Sequence, residues 1–245
     1  MARFKAVLFD IDGTLLDSDD AHAHAWLDAL RGHGKNVPFD LLRSKIGMGG
    51  DKLLCEVAGI PEDSVEGQSI TERRIALLKG YYLPDIGPLP GARPLVERLR
   101  ARGLVCAAVS SAKAADLADL LRIATVADLL DPVISSDDAD NSKPDPDLVQ
   151  IAVDRLGLTP AECVFIGDTP YDVLACERAG VPVIGFRSGG WDDRGLRGAI
   201  AVYDDPQDLA SQLDASPIFT EPTEAEPESR PIATPRHARR PAMGL

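Results

Sequence analysis

Four short stretches of this chain place carboxylates, hydroxyls or a lysine where apolar runs stop. The first is Asp10-Ile11-Asp12-Gly13-Thr14, after the run 4–9. The second is Ser110-Ser111, directly after Val109. The third is Ser142-Lys143-Pro144-Asp145-Pro146-Asp147, a lysine just ahead of a proline-started helix, and the fourth is Gly167-Asp168-Thr169-Pro170-Tyr171-Asp172. Acid groups at the carboxyl end of a strand lie where open parallel α/β sheets put their ligand crevice. The chain carries a net charge of −13, so handling an anionic substrate there needs a metal ion or a focused cationic site. Each stretch also has a plainer explanation. Asp10 to Thr14 would make an Asx-rich turn. Ser110 would cap the helix near 114–121, and Asp168 the helix 171–179. Lys143 would be a surface lysine, although a cation just N-terminal of a helix opposes the helix dipole.

The elements that must position these residues follow from apolar periodicity. Five short apolar runs, 6–9, 104–109, 132–134, 163–166 and 181–186, predict strands. Amphipathic stretches at 92–102, 114–121, 146–156 and 171–179 predict helices between the later ones. Gly103, Gly157 and Gly180 each follow such a helix, where a C′ glycine is expected. Strand alternating with helix implies a parallel sheet covered on both faces. The segment 18–87 breaks this rhythm: it shows helical periodicity at 21–31, 39–45, 51–58 and 70–79 and no convincing strand. It reads as a helical cap domain inserted over the acidic turn, with Pro84, Gly87, Pro88, Pro90 and Gly91 as the return hinge. The expected organisation is a core of 1–17 and 88–215, the cap at 18–87, and a disordered tail at 216–245 that has six prolines and equal numbers of acidic and arginine residues.

Composition excludes several classes. Hydrophobic content of 44% and charged content of 27% are those of a globular protein. The acidic balance, with no basic stripe, argues against nucleic-acid binding. The four cysteines, Cys55, Cys106, Cys163 and Cys176, form no CxxC pair, and reduced thiols are expected. No stretch approaches the roughly 20 apolar residues of a membrane span, and the first apolar run leads straight into the acidic turn rather than a signal-peptide pattern. A cytoplasmic location follows as the expectation.

The four stretches, in this order, resemble the haloacid dehalogenase-like hydrolase superfamily. The cap between the first and second resembles the subfamily with a helical type-1 cap, over about residues 4–213. That subfamily includes phosphoglycolate phosphatases, β-phosphoglucomutases, phosphonate hydrolases and haloacid dehalogenases. The resemblance implies that Asp10 is the nucleophile and forms an aspartyl-phosphate, with Asp12 as general acid/base. It implies Mg²⁺ held by the Asp10 carboxylate, the Asp12 backbone carbonyl and Asp168, with waters completing the shell. Asp172 would hold a metal-bound water or orient Lys143. Ser110, with backbone N–H groups near Ser111 and Ala112, would bind phosphate. Lys143 would supply the positive charge that holds phosphate and Asp10 together.

Details narrow the class. The dehalogenase branch does not place an acid at position 12. Phosphonate hydrolysis needs a lysine early in the cap, where only Lys35, Lys45 and Lys52 occur. His22 and Trp26 match the start of the β-phosphoglucomutase cap, but Gly50 occupies the place of that family's phosphate-binding arginine, leaving Lys52 as a conjectural substitute. The resemblance turns the loop Gly47-Met48-Gly49-Gly50 towards the active site. Substrate selection is therefore expected from His22, Met48 and Gly49, while Trp26 is expected in the cap core and His24 and His33 give no signal.

The expectation is an α/β protein with a Rossmann-like parallel sheet of about five strands and an inserted helical cap. Its expected activity is Mg²⁺-dependent hydrolysis of a small phosphate monoester. A sugar phosphomutase and a phosphometabolite-sensing binding protein are the alternatives. The expected partner is a small phosphorylated metabolite, with no nucleic acid, no membrane, and a monomeric or weakly dimeric state.

Overall fold

The computed structural model describes residues 2–220. Six parallel strands form one sheet: β1 (Ala6–Phe9), β2 (Val105–Val109), β3 (Val133–Ile134), β4 (Cys163–Gly167), β5 (Val183–Phe186) and β6 (Ala201–Tyr203). Their order across the sheet is β3-β2-β1-β4-β5-β6. β1 pairs with β2 from Ala6↔Val105 to Phe9↔Ala108 and with β4 from Ala6↔Cys163 to Phe9↔Ile166. The strand order reverses between β1 and β4, and such a switch point is where this class of sheet opens a crevice.

The sheet is buried on both faces, which is why its strands read as continuous apolar runs. Val7 and Phe9 face one core with α5 (Ala92–Ala101), α6 (Ala114–Ile123) and α9 (Pro206–Ser211). Ala6 and Leu8 face the other with α7 (Asp147–Leu156) and α8 (Pro170–Ala179). Each fully buried leucine or phenylalanine contributes about 1.5–3 kcal/mol relative to exposure. Truncating Phe9 or Phe165 at the centre would therefore cost several kcal/mol, about 3–5 by analogy with other cores.

Four helices make the cap: α1 (Asp19–Gly32), α2 (Phe39–Arg43), α3 (Gly50–Ala58) and α4 (Val65–Leu77), the last running on into a π turn at Leu78–Tyr82. They enclose a separate core of Ala23, Trp26, Leu30, Leu42, Leu53 and Ile70. The two chain crossings between cap and core lie side by side. Leu16 pairs antiparallel with Pro88, Asp17 N–H donates to Gly87 O at 3.0 Å, and Leu89 N–H donates to Leu15 O at 3.0 Å.

Two details depart from the sequence-based expectation. The sixth strand, Ala201-Val202-Tyr203, is an edge element too short and too exposed to stand out as an apolar run. The tail expected from 216 does not start there: Ser216 and Ile218 are fully buried and Arg3 N–H donates to Ile218 O at 2.9 Å, so residues 216–220 pack with the core. The rest of that expected tail, 221–245, lies outside the described residues. Among the described residues, no helix is long and apolar enough to cross a membrane.

Candidate active site

The chain leaves β1 at Asp10, whose N–H donates to Ile166 O on β4 at 2.9 Å. This fixes the acidic turn at the switch point. Gly13 makes the turn at φ +72°, a conformation that favours glycine. Asp10 is buried, and its Oδ1 accepts from Lys143 Nζ at 2.6 Å. The same ammonium donates to Asp172 Oδ1 at 2.8 Å and lies 5.2 Å from the centre of the Phe165 ring. Lys143 is 1% exposed, so it is no surface lysine. Burial alone would lower its pKa, but Asp10 and Asp172 outweigh that and raise it. Burial pushes the Asp10 carboxyl upward, with Asp172 and Asp12 adding to the push, while Lys143 opposes it. With the lysine protonated at 2.6 Å, the contact is an ion pair, and Lys143 is the group that favours the charged form of Asp10 against that push.

Asp172 is fully committed. Its Oδ2 accepts from Thr169 Oγ1 at 2.7 Å, from Thr169 N–H at 3.0 Å and from Asp168 N–H at 3.3 Å. Thr169 returns the bond to Asp172 N–H, closing a capping box at the start of α8. Thr169 is therefore the helix cap, and Asp168 is free of that duty. Asp168 is fully buried; its Oδ1 accepts from Thr14 Oγ1 at 2.6 Å and its Oδ2 has no partner. A Cβ on Gly13 would lie 2.2 Å from Asp168 Oδ2, and one on Gly189 would lie 2.1 Å from it. Only two glycines leave that oxygen its place. Burial, reinforced by Asp19, Asp172 and Asp10, raises the Asp168 pKa well above the usual carboxylate range.

These residues fit a hard divalent cation. Carboxylate oxygens of Asp10, Asp168 and Asp172 lie within 4.8 Å of one another. With Asp172 engaged by Lys143 and the α8 N-terminus, and Asp10 Oδ1 by Lys143, the oxygens left to a metal are Asp10 Oδ2 and the orphaned Asp168 Oδ2. An all-oxygen, carboxylate-rich set that leaves room for waters suits Mg²⁺.

Asp12 faces the cap. Its Oδ1 accepts from Ser18 Oγ at 2.5 Å and from His22 Nε2 at 2.9 Å. Arg74 Nη2 sits 3.1 Å from His22 Nδ1, and a guanidinium can only donate, so Nδ1 accepts and Nε2 carries the proton given to Asp12. Burial would raise the Asp12 pKa; His22, the Ser18 hydroxyl and the Arg74 charge outweigh it and hold the group at about 2.

A cavity of about 60 Å³ joins these parts, lined by Asp10, Asp12, His22, Met48, Ser110 and Ser111, among others. Ser110 is buried at the end of β2, and its Oγ accepts from Ala112 N–H at 3.1 Å. It does not cap α6, whose Ala114 N–H is met by Asp137 Oδ2 at 2.8 Å. Gly49 does not line this cavity: it packs against the core loop, where a Cβ would lie 2.0 Å from Ser142 Oγ. Lys52 does not stand in for the missing cap arginine, because its ammonium is held by Ser142 O and Asp145. Lys35 and Lys45 pair with Glu66 and Glu56.

Sequence reasoning missed two groups at the site. Arg74 lines the cavity from α4, its guanidinium 5.2 Å from the Trp26 ring centre. It was hidden in the run Glu72-Arg73-Arg74, although Arg74 lies one turn from the buried Ile70 and so shares its face. Asp19 is 3% exposed beside Asp168, and Arg43 Nη2 lies 2.9 Å from its Oδ2. Burial raises Asp19 to about 7 despite Arg43. Arg43 also donates to Asp20 Oδ1 and to Gly189 O at 3.0 Å, so it fastens the cap to the core loop. Acids ahead of a helix read as ordinary first-turn residues, and no local pattern marks Gly189.

Residues 4–180 match the family model for haloacid dehalogenase-like hydrolases. The chain is 30% identical over 240 residues to a phosphoglycolate phosphatase of Rhodospirillum rubrum, covering 89% of this chain and 98% of that protein. It is 30% identical over 188 residues to the validoxylamine A 7'-phosphate phosphatase of Streptomyces hygroscopicus subsp. limoneus, covering 75% of this chain and 85% of that one. The crystal structure of a hydrolase from Pseudomonas syringae superimposes with a TM-score of 0.79 at 32% identity, over 86% of this chain and 98% of the other.

Proposed function

This chain belongs to the haloacid dehalogenase-like hydrolases, in the group that resembles phosphoglycolate phosphatases and β-phosphoglucomutases, and we propose that it hydrolyses a phosphate monoester through an aspartyl-phosphate on Asp10. The observation that carries this is the placing of Asp10 and Asp12 on one cavity wall in opposite electrostatic settings, one paired with a buried lysine and the other bonded to the cap. The relatives named for phosphate-ester hydrolysis support the same reaction class.

The Asp10 carboxylate attacks phosphorus, and the bond from phosphorus to the leaving oxygen breaks. Asp12 gives that oxygen a proton. Water then attacks the phosphorus of the acyl phosphate, and Asp12 takes the proton back, so Asp10 is regenerated and inorganic phosphate leaves. Lys143 offsets the charge that builds between Asp10 and the phosphoryl oxygens, and Ser110, whose Oγ is oriented by the Ala112 N–H, holds those oxygens with the Ser111 N–H. Asp172 is a positioning residue that fixes the ammonium of Lys143. When bound by Asp10, the Asp12 carbonyl and Asp168, Mg²⁺ supplies further charge neutralisation at the phosphoryl group. In the empty site the bonds from Ser18 and His22 favour the Asp12 carboxylate, the form that takes a proton from water, while the negative charge of a bound phosphoryl group beside it favours the acid form that protonates the leaving oxygen.

A phosphomutase is the second reading, favoured by Arg74, which gives the cap a cation on the cavity where Gly50 has none. The test is product analysis of the full chain with Mg²⁺. Phosphate release from p-nitrophenyl phosphate, lost in Asp10→Asn, supports hydrolysis. Conversion of β-glucose 1-phosphate to glucose 6-phosphate without phosphate release supports the mutase, and binding of either without turnover supports a sensor.

A further inference from the structure

Six buried side-chain atoms among the described residues lack a hydrogen bond, and they fall in two places. Three belong to Asp19 and Asp168 beside the metal site. The other three are Thr71 Oγ1, Arg74 Nε and Ser111 Oγ, and all three residues line a second chamber of about 240 Å³. That chamber adjoins the catalytic cavity and shares Trp26, Gly50, Arg74, Ser111 and Ala112 with it. It is about four times larger than the 60 Å³ over Asp10 and Asp12. Buried polar atoms are almost always paired, by protein, by water or by what the site binds. Thr71 is only 9% exposed, and nothing in its own helix or the cap core meets its hydroxyl.

The charge on the walls says what kind of molecule fits. Asp51, Glu62, Asp116, Asp137 and Asp140 line the chamber, against Arg74 and Lys113. Asp116 has its own partner in Lys79 at 2.6 Å, and Asp51 accepts from Ser142 Oγ. Arg74 is engaged at the mouth by His22 and the Trp26 ring. A carboxylate or a second phosphate offers only acceptors and would face this surplus of acids. Hydroxyl groups offer donors to Glu62 and Asp140 and acceptors to Arg74 Nε, and they pair both ways with Thr71 and Ser111.

We propose that this chamber holds the leaving group of the substrate, and that the leaving group is an uncharged, polyhydroxylated carbon skeleton of sugar size, with no second anionic group. The proposal rests on the phosphate-monoester reading of the catalytic cavity. It sets this chain apart from an enzyme for phosphoglycolate, whose two-carbon carboxylate would leave the chamber nearly empty and its acids unanswered.

The test is steady-state phosphate release by the full chain with Mg²⁺. The probes are p-nitrophenyl phosphate, glucose 6-phosphate, sorbitol 6-phosphate, phosphoglycolate and fructose 1,6-bisphosphate. The expected result is a kcat/KM at least about tenfold higher for one of the two sugar monophosphates than for phosphoglycolate or the bisphosphate, since sites built to bond hydroxyls discriminate by such factors and more. Phosphoglycolate or the bisphosphate turning over as well as both sugar monophosphates would overturn it. Turnover of p-nitrophenyl phosphate separates that failure from failure of the hydrolase reading: if no probe releases phosphate, both fall together. Thr71→Val keeps the side-chain shape and should raise KM for the preferred sugar phosphate about tenfold with a smaller effect on kcat. Glu62→Lys should shift the kcat/KM ratio towards phosphoglycolate. An unmoved ratio in both variants, each with a wild-type melting temperature, means that the chamber is not where the leaving group sits.

Discussion

Asp172 ties down the ammonium of Lys143. Its Oδ1 receives that ammonium at 2.8 Å, while its Oδ2 is anchored by Thr169 at the first turn of α8. The lysine is thus aimed at Asp10 by a helix terminus rather than by its own flexible stem. Removing the lysine leaves two buried carboxylates without a counter-charge. Lys143→Met should cost about 3–5 kcal/mol at pH 8, or roughly 6–20 °C in melting temperature for a chain of this size. Burial raises the Asp10 pKa in the folded state, and without Lys143 the main opposing charge is gone, so the folded form binds a proton more tightly than the unfolded chain does. The deficit should therefore shrink at pH 5 and grow as the pH rises. Thermal melts at both values check this, and an equal deficit at both would remove the ionic explanation.

Asp10→Asn keeps the side-chain volume and removes the nucleophile. Turnover of p-nitrophenyl phosphate should fall by about a thousandfold or more. The fold should survive with an unchanged or higher melting temperature, because burial opposes the Asp10 charge in the first place. A variant that keeps near-normal turnover would assign the nucleophile elsewhere.

Metal binding should be visible in stability as well as in rate. Saturating Mg²⁺ at about 100 times its dissociation constant adds about 2.7 kcal/mol, and EDTA should remove that gain. Asp19 rises from 3.8 to about 7 in the folded chain. A group raised this way stabilises below its unfolded value and loses that contribution as the pH climbs through about 7. Asp168 moves in the same direction. The metal-free protein should accordingly lose stability from pH 4 to pH 8, and the Mg²⁺-induced rise in melting temperature should be larger at pH 8 than at pH 5. Asp168→Asn should abolish most of the rise. A Mg²⁺ response of equal size in that variant counts against Asp168 as a ligand.

His22 and Ser18 set the protonation of Asp12. The depressed Asp12 value, about 2 against 3.8, stabilises the fold above pH 4 and is lost as the pH falls towards 2. Linkage puts this at about 2 kcal/mol. His22→Ala should move the acidic limb of the kcat profile, where Asp12 acts as the base on the attacking water, up by about one pH unit, with little change in KM. An unshifted limb in that variant, with rate lost equally at every pH, would make His22 a packing residue only.

The sheet and its acidic turn were legible because buried parallel strands leave uninterrupted apolar runs, and Asp10, Ser110 and Asp168 end three of them. β6 left no such run, since its side chains are half covered at a sheet edge. Residues 216–220 looked like tail because the sequence that follows them is polar and proline-rich, yet Ser216 and Ile218 are fully buried and Phe219 packs against the core. The cap was harder to read. Gly49 and Lys52 lie within a few residues of Met48, but the turn of α3 sends them to the core loop while Met48 faces the cavity. Arg74 comes to the same cavity from another helix, and that convergence of α1, α3 and α4 is tertiary information that spacing along the chain does not contain.

The two chain crossings described above, Leu16 beside Pro88 and Asp17 beside Gly87, are bonded to each other as a short ribbon. A paired ribbon bends across its face far more readily than it shears along its length. The cap is therefore hung like a door on one leaf rather than tethered by two cords. Ser18, at the head of α1, stands immediately beyond that leaf and bonds Asp12. A rotation of the cap about that ribbon would carry Ser18 with it, so a change in the cap's angle would reach the proton-carrying acid through this bond.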